Sequence, residues 1–260
     1  MTSEDTVPAP LRRLWRIPDS SRLGRPAALD VDLVVAAAVE TADRDGLDGV
    51  TLPKVAKSLG VTGMSLYRYV GSKDELLVLM GDHALGAPPR FDTGDWREGL
   101  RAWARAQRAV YRQRPWLARL PVTGPPSGPH RIAWMEAALG VLARTPLDWA
   151  HKIGTLSLIG GYVVQTARQE QELARGRAER QGQADAERAY GRALAELVDP
   201  ERFPETARLF SSPLFEAGPA DTSGAGPADT SDAAIGDADF TIGLELILDG
   251  IATRIERLEP

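Results

Sequence analysis

Between positions 51 and 73 the chain gathers side chains that suit duplex DNA. Met64 offers an apolar surface to a thymine methyl, and Ser65 can donate to or accept from most bases or a phosphate. Arg68 can reach guanine or the backbone, and a bidentate guanine contact contributes about 1–3 kcal/mol of discrimination. The hydroxyls of Tyr67 and Tyr69 can donate to phosphates, although Tyr69 can equally pack inward. Lys73, at a helix start where backbone N–H groups are free, suits a phosphate clamp. Thr51, Lys54, Thr62 and Gly63 complete the candidate DNA-binding set. The whole chain carries a net charge of −5. Between Leu47 and Asp74, however, Lys54, Lys57, Arg68 and Lys73 face only Asp48 and Asp74. Charges are screened within about 10 Å, so this local balance governs contact with DNA.

A second set has binding chemistry of another kind. Trp103 and Gln107 share one helical face at i, i+4. An aromatic wall with an amide suits a flat, aromatic small molecule. Catalytic signatures are missing from the sequence: no Gly-rich phosphate loop, no nucleophile elbow, no HExxH. His83, His130 and His151 are scattered without metal-ligand spacing, and there is no cysteine. The expectation is a protein that is not an enzyme and uses no metal or cofactor.

The elements that must position the DNA-binding set are strongly punctuated. Thr51 is a helix N-cap and Pro53 sits in the first turn, where its missing N–H is tolerated. Val55, Ala56 and Leu59 fall on one face, and Gly60 ends the helix. Val61 plugs a turn, Thr62 caps a second helix over Gly63–Tyr69, and Gly71 stops it. Ser72 and Glu75 then read as a reciprocal capping box for the next helix. Two short crossing helices with these stops make a helix-turn-helix, whose second helix enters a major groove with Gly63, Met64 and Ser65 nearest the base edges.

This stretch, down to LGVT followed by SLYRYVGSKDELL, resembles the DNA-binding domain of the TetR family of bacterial repressors. Asp95-Trp96 and the C-terminal FTIGLELILDGI (240–251) resemble the tetracycline-repressor subgroup more narrowly. The resemblance is close over 29–80 and 240–251 and loose between them. It implies an all-α fold, a homodimer built on a four-helix bundle, and a palindromic operator with half-sites about 34–36 Å apart or a multiple. By that resemblance Trp103 and Gln107 stand where drug is contacted. Trp134, Ala138, Trp149, Tyr162 and Gln165 lie on helices that line the ligand pocket. Movement of the helix after the helix-turn-helix would couple ligand to DNA. The subgroup reads bases with an arginine where this chain has Pro53 and a glutamine where it has Gly63, so the operator should differ. It also holds a Mg²⁺–drug chelate through a histidine near the place of Val122, which implies a metal-free ligand other than tetracycline.

The domain reading is 1–28 a basic disordered arm, 29–75 the helix-turn-helix domain, and 76–260 a ligand-binding and dimerisation domain with a disordered loop at 199–236. Arg12, Arg13, Arg16, Arg22 and Arg25 make the arm basic, either for the DNA backbone or minor groove or as a solvated tail; Leu11, Leu14, Trp15 and Ile17 could instead anchor it on the protein. Asp30 caps the first domain helix, with Leu33, Val34, Ala37, Ala38 and Ala42 facing inward. Helices follow over 95–114, 130–144, 146–182 and 186–197. GPADTS occurs twice in the low-complexity loop (218–223 and 226–231). The last helix, Phe240–Leu258 capped by Asp237 or Asp239, is apolar on more than one face, as burial on both sides requires. No apolar run of membrane length or signal segment is present, so the chain reads as cytoplasmic. The function expected is a repressor that leaves its operator when a hydrophobic or aromatic small molecule binds. A helical ligand-binding protein with a vestigial DNA-binding end is the alternative.

Overall fold

A computed structural model describes residues 7–18, 29–91, 94–122, 124–178, 193–194, 196–212 and 232–259. The described residues form helices and turns with no strand. They fall into two compact units, 1–168 with 247–260, and 169–246.

In the first unit α1 (Ala9–Leu14) precedes α2 (Val31–Asp45), α3 (Leu52–Ser58), α4 (Gly63–Val70) and α5 (Lys73–Leu85). The starts of α2, α3 and α5 are fixed by side-chain caps: Asp30 accepts from the Leu33 N–H, Thr51 from Lys54, Ser72 from Glu75. Such a cap contributes about 1 kcal/mol by satisfying an orphan donor. Val34, Val35, Ala38, Leu66, Val70, Leu76, Leu79 and Met80 are among the residues that close a common core. Leu33 does not face it: at 48% exposed it lies outside, and Val35 and Val39 take the inner places. The reason is that α2 packs against α3, α4 and α5, which centres the buried arc on 34, 35, 38, 39 and 42.

The expectation of a disordered arm over 1–28 fails for its described middle. Residues 9–14 are helical, and Leu14 is buried in the same core as α2 and α5. Residues 1–6 and 19–28, with Arg22 and Arg25, lie outside the described residues.

Beyond Gly86, α6 (Trp96–Gln113) is capped by Asp95, whose carboxylate accepts from the Arg97 and Glu98 N–H groups. A 3₁₀ turn (Pro115–Arg119) leads to α7 (Pro129–Val141), and α8 runs from Trp149 to Ala178. α5 packs on α2 and α4 on one side and on α7 and the 3₁₀ turn on the other. It is therefore the shared member of two layers. Several polar ties join those layers at the 3₁₀ turn. The Trp116 indole donates to Asp43 at 2.6 Å and Arg114 donates to the Ala84 carbonyl at 3.1 Å.

In the second unit, α9 (Pro204–Phe210) lies inside the loop expected to be disordered, with Arg208 and Glu205 paired at 2.6 Å. The final helix, α10, spans Asp232–Glu256. It starts earlier than Asp237 because the Ala233-Ala234-Ile235 run continues the helical pattern. Both GPADTS copies and residues 179–192 lie outside the described residues.

Candidate nucleic-acid interface and effector site

The geometry of α3 and α4 separates the candidate DNA-binding residues by exposure. Leu66 and Val70 are fully buried and seat α4 on the core. On the opposite side Met64 is 79% and Tyr67 49% exposed, with Arg68 exposed beside them. Tyr69 is half-buried, with its side chain packed against the core. Lys54 on α3 and Lys73 at the first position of α5 are exposed as well, so Met64, Tyr67, Arg68, Lys54 and Lys73 remain available to a partner. Thr51 works as the α3 cap. Thr62 stands at the α4 N-cap position but does not accept from the backbone; its hydroxyl is bonded to that of Ser65 at 2.9 Å. The pair leaves the first N–H groups of α4 without a side-chain cap, a place where an anion is favourable. α4 has eight residues and starts at Gly63, where an added Cβ would meet nothing within 4 Å.

The capping box at α5 is half formed. Ser72 accepts from the Glu75 N–H at 3.1 Å, but the Glu75 carboxylate turns to Arg13 of α1 instead of reaching back. A guanidinium supplied by tertiary structure competes better for that carboxylate than the local N–H does.

The effector half contains an indole relay. Trp103 and Trp134 are each 3% exposed, and their rings meet edge to face at 6.4 Å between centroids. The Trp103 indole N–H donates to the Trp134 carbonyl at 2.9 Å, and the Trp134 indole N–H donates to the Gly86 carbonyl at 2.9 Å. Gly86 is the C-cap of α5, in the left-handed region at φ 65°. Phe91 lies 6.2 Å from the Trp134 ring. Gln107 and Ala138 are buried on the same helices as this pair, and the Gly160 Cβ position on α8 looks onto the Trp103 ring edge at 3.9 Å. Tyr162 is half-buried. Trp149 and Gln165 do not join the buried set: Trp149 is 71% exposed with the Lys152 ammonium 5.4 Å from its ring, and Gln165 is exposed. The first turn of α8 points its large aromatic outward, and the inner face is taken by Thr155, Leu156, Ile159 and Val163.

Asp82 is the residue that sequence reasoning missed. It is 4% exposed on α5 and accepts from the backbone N–H groups of His130 and Arg131, at 3.3 and 3.0 Å. It thus caps α7 from another helix, because Gly128 at the N-cap position has no side chain to do so. A lone carboxylate in the apolar run LLVLMGDHALG was the available signal. Such a group is buried only where donors meet it.

The family model described as bacterial regulatory proteins, tetR family, matches residues 34–80, and the one described as the tetracyclin repressor-like C-terminal domain matches 88–255. The chain belongs to the TetR family. The transcriptional repressor DrrR1 of Streptomyces coeruleorubidus is 36% identical over 248 residues, spanning 93% of this chain and 84% of that protein. The class A tetracycline repressor from transposon 1721 of Escherichia coli is 28% identical over 231 residues, 87% and 92% of the two chains. Among solved structures, ActR of Streptomyces coelicolor in complex with (S)-DNPA superposes with a TM-score of 0.65 at 25% identity, covering 88% of this chain and 100% of that one. These relatives are transcriptional regulators. This TetR-family chain is a ligand-responsive, DNA-binding transcriptional repressor.

The Mg²⁺–drug chelate raised by the resemblance does not fit the donor set of this TetR-family member. Val122, near the place of the chelating histidine, is apolar and 94% exposed. The nearest histidine, His130, has its Nδ1 3.0 Å from the Asp82 carbonyl oxygen. Among the described residues no three His, Cys, Asp or Glu side chains converge on a metal position, and no helix is long and apolar enough to cross a membrane.

Proposed function

We propose that this repressor binds a palindromic operator as a homodimer and releases it when a hydrophobic or aromatic, metal-free small molecule other than tetracycline occupies the effector half. The observation that carries the reading is the two-sided α4, with Leu66 and Val70 sealed in the core and Met64, Tyr67 and Arg68 presented outward beside Lys54 and Lys73. In this reading Ser65, Met64 and Arg68 address bases, and Tyr67 and Lys73 hold phosphates. Gly63 brings the helix start close to the duplex, and Thr51 and Thr62 shape the two helix starts.

On the effector side, Trp103, Trp134, Gln107 and Ala138 are the residues that would meet the ligand, with Tyr162 beside them. An aromatic ligand is supported by the tryptophan pair and by the complex that ActR forms with (S)-DNPA. The donor set around Val122 and His130 supports a ligand without a chelated metal. Trp149 and Gln165 are better assigned to the subunit contact than to the ligand. α8 exposes Trp149 and Ile153, four residues apart on one face, at 71 and 43%, and α10 exposes Ile242 and Leu246, also four apart, at 62 and 68%. Each is an apolar pair that a second copy would cover.

The coupling itself needs only a few kcal/mol, because a ligand shifts the DNA-bound population by its differential affinity for the two states. The test is a pull-down of genomic fragments with the purified protein, read by sequencing. An enriched palindrome confirms the operator reading. No enriched site at low salt without ligand would leave a ligand-binding protein with a vestigial helix-turn-helix.

A further inference from the structure

The N-terminal helix is tied by its side chains to three separate elements of the first unit. Leu14 is 4% exposed and belongs to the core around α2 and α5. Around it, three side chains reach three different elements. Arg13 forms a two-pronged ion pair with Glu75 in the first turn of α5, its Nη2 donating at 2.8 Å. Arg16 donates to Asp32 in the first turn of α2 at 2.7 Å. The Trp15 indole donates to the Ser127 carbonyl at 2.8 Å, in the loop that leads into α7.

Two details give these contacts a purpose. First, the Arg13–Glu75 pair lies directly over Gly71, the C-cap of the recognition helix at φ 68°. A Cβ there would sit 2.2 Å from Glu75 Oε2 and 2.8 Å from Arg13 Nη2. Second, Arg16 holds a left-handed backbone at φ 55°, a conformation that a side chain bearing a Cβ adopts only when other contacts fix it. Its guanidinium also donates to the carbonyls of Arg13 and Leu14, at 2.7 and 3.3 Å. The segment is therefore anchored at both ends of a short path that runs from the recognition helix to the loop before α7.

The geometry points to residues 9–16 as a brace, with Arg13 and Trp15 as positioning residues that fix the recognition helix relative to the α7 entrance. The brace acts in parallel with α5: α5 is tied to α7 through Asp82 and Trp134, and the brace is tied to the same α7 entrance through Ser127. The ion pair is two-pronged and Glu75 is only 12% exposed, so it resists solvent competition better than a surface pair does. Displacement of the loop before α7 would therefore reach Gly71 by a second route. This inference rests on the repressor reading given above.

Amide hydrogen exchange on the full-length protein tests the brace without any DNA or ligand. Arg13→Gln and Glu75→Gln should each raise exchange at 66–72 roughly tenfold, the factor expected from losing a charge-assisted hydrogen bond, with little change in α6. The swapped pair R13E/E75R should recover most of that protection. Trp15→Phe keeps an aromatic ring and removes the donor; it should raise exchange at 127–131, beside its hydrogen bond to Ser127, and also at 70–75. Should Arg13→Gln unfold the protein, Arg13→Lys keeps the charge, and its exchange pattern decides the same question. A uniform rise across all core amides would reduce α1 to ordinary packing, and a Trp15→Phe effect confined to 127–131 would overturn the brace. A second arm uses the operator duplex enriched in the pull-down: Arg13→Gln should weaken it about tenfold and leave a random duplex unaffected. If wild-type protein enriches no operator, the repressor reading fails while the exchange result still decides the brace.

Discussion

Gly128→Ala is the sharpest probe of how the two layers are joined. The Gly128 backbone has φ −85°, which any residue adopts, so an alanine there meets no backbone strain. Its Cβ would instead fall 2.1 Å from Asp82 Oδ1, 2.3 Å from Cγ and 2.9 Å from Cβ. The carboxylate must leave the His130 and Arg131 amides or α7 must shift. Loss of an N-cap costs about 1–2 kcal/mol, and hydrogen bonds to a charged group contribute about 1.5–3 kcal/mol. The single substitution should therefore destabilise by roughly 3 kcal/mol, or on the order of 10 °C in midpoint. In an Asp82→Ala background the two shortest contacts no longer exist and only the Cβ remains. There Gly128→Ala should cost about 1 kcal/mol or less, leaving a coupling near 2 kcal/mol, within the range for residues in contact. Denaturant titrations of the four proteins measure it. Additive costs would show that Asp82 is not seated on the start of α7.

Three further outcomes follow from the described geometry. Lys73→Ala should weaken operator and random duplexes alike and lower the salt slope by about 0.9, the value for one neutralised phosphate; weakening confined to one base pair would refute its phosphate role. Trp103→Phe removes the donor to the Trp134 carbonyl and keeps most of the packing, unlike Trp103→Ala, which would cost about 3–5 kcal/mol. It should change the ligand's effect on DNA release and leave ligand-free operator affinity intact, and an unchanged response would make Trp103 a core residue alone. His83 has its pKa held below 6.5, chiefly by burial and then by the charge of Arg16. The unfolded chain therefore binds that proton more readily than the folded one, so stability is lost as pH falls below about 6.5. Replacing His83 by Gln should flatten that part of the pH–stability curve.

The helix-turn-helix was legible because its determinants are local. Asp30, Thr51 and Ser72 cap the helices that their positions implied, and Gly60 and Gly71 take the positive φ that stop glycines need. Where another partner competed for a capping group, sequence reading failed. The Thr62 hydroxyl pairs with that of Ser65, three positions on, and Glu75 answers Arg13, sixty-two positions away. The burial of the effector candidates was partly legible. Trp103, Gln107, Trp134 and Ala138 are buried as their neighbours in the pattern suggested, but Trp149 faces out, since an exposed aromatic at a helix start looks the same in sequence as a buried one. Asp82 could not be assigned from spacing, because its partners are backbone amides forty-eight and forty-nine positions on.

The open space around Gly63 has a consequence for how this repressor can change over time. Among the described residues nothing lies within 4 Å of a side-chain carbon at that position, its backbone lies outside the left-handed region, and the neighbouring Met64 is 79% exposed. Replacing Gly63 costs the fold nothing and gains helix propensity, whereas Leu66 and Val70, on the other side of the same two turns, carry the packing. On the reading proposed above, stability and the choice of DNA sequence are thus borne by different residues of one eight-residue helix. Under that reading, mutations at 63 and 64 would be filtered by what they do to DNA, so a duplicated copy of this gene could drift to a new operator without passing through an unstable intermediate.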